Sequence, residues 1–139
     1  LDLSSFKTNN VTDMNHMFMY CVGLTKLNVS SFDTSKVTNM GTMFGDCIKL
    51  TEINLSNFDT TNVTDMSCMF EYCQGLTELD LSSFNTNNVT NMQSMFVECS
   101  NLQTIYVGPN WKINENTNIN YMYLNCGTDT TTPKPANEP

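Results

Sequence analysis

The sequence predicts an α/β repeat architecture: a right-handed solenoid with a parallel β-sheet on its inner face and short helices on its outer face. Three observations point there. The stretch Val11-Thr12-Asp13-Met14-Asn15-His16-Met17-Phe18-Met19-Tyr20-Cys21 returns at 37–47, 63–73 and 89–99, so its cysteine recurs every 26 residues. A fixed period of this size marks a stacked repeat array. Each copy is preceded by a short alternation such as Leu79-Asp80-Leu81, which reads as a half-buried strand. Within each copy the apolar residues Met14, Met17, Phe18 and Cys21 fall at i, i+3, i+4 and i+7, the spacing of one helix face.

The unit 1–26 sets the order of elements. Leu1-Asp2-Leu3 is the strand, with counterparts at 27–29, 53–55, 79–81 and 105–107. Phe6, with Phe32, Phe58 and Phe84 after it, turns back inward, and the polar segment 7–10 reads as loop. Thr12, Thr38, Thr64 and Thr90 stand where an N-cap hydroxyl would accept an orphan N–H. Asp13 and Asp65 follow at the positive end of the helix dipole. Gly23, Gly75 and Asn101 occupy the stop position, where a left-handed residue closes a helix; Lys49 replaces them in the second unit. Parallel strands stack about 4.8 Å apart, whereas helices pack about 8–10 Å apart. That mismatch predicts curvature with the strands inside, and the crossovers default to the right hand.

The unit boundaries are 1–26, 27–52, 53–78 and 79–104, with a diverged fifth unit at 105–127. One inserted residue near Gly108-Pro109 aligns Trp111 with the phenylalanines, Ile119 with the first methionine, Met122-Tyr123 with Met-Phe, and Cys126 with the cysteines. Residues 128–139 form a Thr/Pro tract without a core-forming stripe, which reads as an extended linker.

Composition narrows the function. The 139 residues carry 14 acidic and 6 basic side chains, a formal charge of −8, and every basic residue is lysine. Nucleic acid wants a basic stripe, so that partner is not expected. No apolar run reaches the roughly 20 residues that span a bilayer. The chain opens inside a repeat without a leader, so it reads as part of a longer protein, with further repeats expected before Leu1 and any membrane or wall attachment carried elsewhere in the parent chain.

The pattern Ile53-x-Leu55-Ser56-x-Phe58-x-Thr60-x-x-Val63-Thr64-x-Met66-x-x-Met69-Phe70-x-x-Cys73-x-x-Leu76-Thr77 resembles the BspA-like leucine-rich repeats, the 26-residue repeats of bacterial surface proteins and lipoproteins. The resemblance covers residues 1–104 closely and 105–127 loosely. It implies a leucine-rich-repeat horseshoe and an exported, extracellular protein held at the bacterial cell surface, in a family where some members are adhesins towards host matrix proteins.

No catalytic constellation is visible, so no enzyme is expected. His16 is the only histidine, and no Ser-His-Asp or HExxH set can be built on it. The cysteines at 21, 47, 73, 99 and 126 read as buried reduced thiols, because neighbouring helices would hold them beyond the roughly 7 Å limit of a bridge; Cys68 reads as exposed. Neither metal nor cofactor is expected: single cysteines one per unit lack zinc spacing, and Asp33 with Asp59 reads as solvated charge rather than a calcium pair. The Asn-x-Ser/Thr matches read as accidental, because caps and strand ends already call for the hydroxyl residue. The methionine stripe reads as core. What remains are surfaces. Asp2, Asn28, Asn54, Asp80 and Tyr106 form one row on the strand face, and Glu52 and Glu78 lie in the row beside it; concave repeat faces are the usual binding faces. Tyr20 and Tyr72 offer a second surface on the helix side. The expected function is adhesion or protein–protein binding through the strand face, with a host or matrix protein as partner and no small-molecule substrate. The alternative is a structural spacer that displays another domain and has no ligand of its own.

Overall fold

The computed structural model describes residues 1–136. Five short strands form: β1 (Lys26–Leu27), β2 (Glu52–Ile53), β3 (Glu78–Leu81), β4 (Thr104–Val107) and β5 (Thr132–Pro133). They make two parallel sheets, β1-β2 and β3-β4-β5. The register is the sequence period: Lys26 pairs with Glu52, and Glu78 with Thr104. On the other side of each coil a second column of parallel bridges runs Asp13–Asn39–Asp65–Asn91–Asn118. Its last step is one residue longer, which places the inserted residue of the fifth unit between Val107 and Asn118. Leu1-Asp2-Leu3 forms no strand.

No helix forms among the described residues, which overturns the α/β solenoid with helices on its outer face. The hydrogen bonds show why. From Met14 to Tyr20 every second N–H leaves its own coil: Met14 N donates to Asn39 O, His16 N to Gly41 O, Phe18 N to Met43 O and Tyr20 N to Gly45 O, at 2.9–3.0 Å. The alternate N–H groups close i→i−3 turns, Met17 to Met14, Met19 to His16 and Cys21 to Phe18. His16 and Tyr20 have φ of 64° and 63°. They sit at the third residue of the 14–17 and 18–21 turns, where a type II turn requires positive φ. A helix would keep every N–H inside the segment and could not hold two such residues.

Tandem turns and a short helix therefore bury the same positions. Met40, Met43, Phe44 and Cys47, with their counterparts in the third and fourth coils, are almost wholly buried. Phe18, Phe44, Phe70, Phe96 and Tyr123 stack face to face with centroids 5.5–5.9 Å apart, within the range of favourable aromatic pairs. Because the column opposite the strands is itself bridged in parallel from coil to coil, the mismatch in spacing that predicted curvature does not arise. In the first coil Met17 is 36% exposed and Cys21 half-buried. In the last, Ile119 is 46% exposed although it aligns with Met14.

The capping assignments also change. Thr12 is not an N-cap: its carbonyl accepts Thr38 N at 2.8 Å. The Asp13 side chain accepts Asn15 N at 2.8 Å in an Asx turn, and Asn39, Asp65, Asn91 and Asn118 repeat it. No glycine has positive φ. Gly75 serves close approach instead, since a Cβ there would stand 2.6 Å from Leu50 O.

A polar ladder runs through the interior. Thr8, Thr34, Thr60 and Thr86 are buried. Thr34 Oγ1 donates to Asp59 O at 3.0 Å and accepts from Asp59 N at 2.9 Å, and Thr60 does the same with Asn85. The expected linker is extended, and its Thr132–Pro133 adds to β4 as β5; residues 137–139 of it lie outside the described residues.

Candidate functional site

Of the row expected on the strand face, the structure pairs Asp80 with Tyr106, and most of the row's polar atoms are already engaged. Asp2, Asn28, Asn54 and Asp80 each accept the N–H two residues on, from Ser4, Ser30, Ser56 and Ser82, at 2.9–3.0 Å. These Asx turns end the strand segment and aim the chain toward the inward phenylalanine. The Ser4 hydroxyl, then its N–H, holds the Asp2 carboxyl below the usual carboxylate range. Asp2, Asn28 and Asn54 are exposed, whereas Asp80 and Tyr106 are half-buried. The tail produces that difference. Lys134 Nζ pairs with the Asp80 carboxylate, Lys134 N donates to Val107 O at 2.9 Å, and Tyr106 pairs with Thr132. Burial raises the Asp80 pKa, but the ammonium of Lys134 and the hydrogen bonds from Lys134 and Ser82 outweigh it, leaving the carboxyl below its ordinary value.

Glu52 and Glu78 are exposed on the neighbouring row. Glu52 also lies 3.2 Å from Lys26 Nζ, in a pair open to solvent, which is worth little by itself. A groove of about 570 Å³, within the size range of ligand clefts, runs between these rows. Thr51, Glu52, Ile53, Thr77, Glu78 and Asp80 line one part of it, and Tyr106, Lys134, Pro135 and Ala136 the other. A second groove, lined by Lys26, Asn28, Glu52, Ile53 and Asn54 among others, shares Glu52 and Ile53 with the first. Sequence reasoning missed both Lys134 and Ile53. A lysine between two prolines in a polar tract carried no sign that it would reach back 54 residues.

Tyr20 and Tyr72 are 64% and 40% exposed and do not join this face. They occupy left-handed turn positions, as do Asp46 and Glu98 between them. His16 is exposed at another such position. Cys68 is half-buried rather than exposed; burial, then the neighbouring Glu71, pushes its thiol up to about 11. The other cysteines are unpaired as well. Cys47, Cys73 and Cys99 donate from Sγ to Phe18 O, Phe44 O and Phe70 O at 2.9–3.2 Å. Burial pushes the Cys47 thiol up to about 11 and that of Cys99 to about 12, and raises Cys73 further. Asp33 and Asp59 do not converge on a cation: each turns an oxygen onto its own loop, accepting Ser35 N and Thr61 N at 3.0 Å. Among the described residues no group of three or more His, Cys, Asp or Glu side chains could hold a metal.

No curated protein and no solved structure matches the chain. One family does, twice, over residues 1–106 and 25–132. The ends of the two matches lie one 26-residue period apart. Together they span residues 1–132, and the chain belongs to the DUF285 family, described as a Mycoplasma protein of unknown function, a family of bacterial repeat proteins.

Proposed function

We propose that the chain is a non-enzymatic module of a bacterial surface protein, with repeats of the BspA-like kind, that binds a protein ligand along its strand face. The observation that carries this reading is the pair of grooves that meet at Glu52 and Ile53, on a face where Glu52 and Glu78 are exposed. The interior, by contrast, is filled by rings, thioethers and thiols that only hold the coils together. The ligand in this reading is a host or matrix protein, and the module works outside the cell. The test is binding of the fragment to immobilised matrix proteins (a collagen, a laminin and a fibronectin), repeated with Glu52→Lys, Glu78→Lys and Tyr106→Ala. Binding to at least one of them, weakened by these changes but not by changes at Tyr20 and Tyr72, supports the reading.

The spacer remains the second reading, and one observation favours it. Asp2, Asn28, Asn54 and Asp80 spend their side-chain acceptors on the chain itself, as residues of a purely structural face would. A fragment that binds none of the matrix proteins yet keeps its fold would favour the spacer.

A further inference from the structure

The tail keeps the period of the coils. Thr132 pairs with Tyr106 and Pro133 with Val107, in parallel, each 26 residues on, as Thr104 is from Glu78. β5 therefore stands where the strand of a sixth coil would stand. The approach to it is stacked on the fourth coil: Gly127 N donates to Cys99 O at 3.0 Å, and a Cβ at Gly127 would lie 2.4 Å from Leu102 O. Lys134 fixes the far end, with its N–H on Val107 O at 2.9 Å and its ammonium on the Asp80 carboxylate.

β5 differs from the other strands in what it shows to its outer side. Along a strand the backbone N–H groups point alternately to one side and the other. Lys134 N points to β4, so the outward positions are 133 and, one step on, 135. Both are prolines, whereas β1 to β4 contain none. Proline has no N–H to donate, and within sheets it is confined to such edges. Thr131, the preceding outward position, has a carbonyl that already accepts the Thr130 hydroxyl at 3.4 Å. The same two prolines keep Thr132 and Lys134 extended, because the residue before a proline is barred from the helical region. They thus fit the tail to β4 and strip the outer edge of donors.

We propose that residues 131–136 are a stop strand: they cover the β4 edge, which would otherwise take up a strand from a second copy of this chain, and they present an edge that takes up none. A bare strand edge is a template for another chain. The occupant follows from the register. Every strand pairing between coils joins residues 26 apart, so an uncovered β4 is shaped for a coil of this kind, and a second copy carries such coils. Thr131 and Pro133 also line a hollow with Val107 and Trp111, which would lose that cover. On its turn side the last coil keeps Ile119, Tyr121 and Leu124 exposed. A further coil must meet the turn column and the strand column together, so closing the strand column is enough to stop it. Ligand binding on the strand face plays no part in this inference.

The test is sedimentation velocity over about a 50-fold range of concentration, in which mass action reveals self-association. The unaltered chain is compared with Pro133→Thr/Pro135→Thr, which restores two outward N–H groups, and with Lys134→Glu, which sets a second carboxylate against Asp80 and releases the tail. All three positions are exposed, so the coils themselves are undisturbed. Both variants should associate, with a weight-average mass at least about twofold above that of the unaltered chain at the highest concentration. In hydrogen exchange the amide at 134 should stay slow in the double variant and open in Lys134→Glu. The new amides at 133 and 135 should slow at least about tenfold between the lowest and the highest concentration. A double variant whose tail detaches bares β4 and should associate as Lys134→Glu does. A double variant that sediments like the unaltered chain at every concentration overturns the stop strand. So does a Lys134→Glu variant that has an open amide at 134 and still does not associate.

Discussion

Replacing Thr60 with valine tests whether the internal threonine ladder holds the coils in register. Thr60 is 1% exposed. Its hydroxyl donates to Asn85 O and accepts from Asn85 N, both at 2.8 Å. Valine has nearly the same shape, so the change opens no cavity and isolates the two hydrogen bonds. It leaves one N–H and one C=O without a partner in a half-buried segment. Each orphaned group costs about 1–3 kcal/mol, so with some access to water the total is about 2–4 kcal/mol. With a urea m-value of about 2 kcal/mol/M, the midpoint falls by about 1–2 M. The assay is urea unfolding followed by circular dichroism and by Trp111 fluorescence. Thr60→Ser is the control: it keeps both bonds and loses one methyl, about 1 kcal/mol. Valine as stable as serine would falsify the claim that the ladder's hydroxyls, rather than its shape, stabilise the stack.

Other substitutions and conditions probe the rest of the architecture. Ser94 has φ of 56°, so Ser94→Val should lose about 1–2 kcal/mol relative to Ser94→Asn, which tolerates the left-handed region; equal melting temperatures would contradict the turn assignment. A Cβ at Gly108 would lie 2.4 Å from Ser82 O, so Gly108→Ala should cost about 1–3 kcal/mol by forcing two backbones apart, read as a lower urea midpoint. Stability should fall as pH rises from about 9 towards about 11. The unfolded thiols ionise near pH 8.5, while Cys47 and Cys99 stay protonated in the fold to about 11 and about 12. Their raised pKa contributes stability that is complete below the unfolded value and is lost upward through the folded one, at about 1.4 kcal/mol per pH unit per thiol. Melting curves across that range, flattened in a Cys99→Ala variant, check the sign.

The period and most of the inward positions were legible in the sequence because burial repeats every 26 residues whatever the local backbone does. Local structure was not. Met14, Met17, Phe18 and Cys21 fit a helix face, and they fit two successive tight turns equally well, since each turn returns the chain inward after three or four residues. The signal that separates the two lies in the polar residues. Asp13, Asn39, Asp65 and Asn91 suit a helix start no better than an Asx turn, but Asn28, Asn54 and Asp80, with Asp33, Asp59 and Asn85, recur at two other corners of the coil, where no helix was expected. Three aspartate or asparagine columns per coil point to turns at every corner. The threonine ladder was hidden in a polar stretch that read as loop, although Thr8, Thr34, Thr60 and Thr86 keep the period as strictly as the cysteines do.

The turn columns bear on function as well as fold. A coil of strand and turns can stack at strand spacing on all sides, so its shape does not force a concave face in the way that helices would. Under the proposed function the face would then select its ligand by chemistry rather than by curvature. Most of that chemistry is spent: each Asx side chain caps its own corner, and the strand edges within each sheet are paired. Repetition makes these features alike from coil to coil, so the place that can discriminate is where the repetition fails. Lys26, Glu52 and Glu78 occupy one column, and their order, one opposite pair followed by one like pair, marks such a place. A single charge change in that column leaves the buried rings, thiols and hydroxyls that stabilise every coil untouched, so under the proposed function it should alter ligand binding without altering the fold.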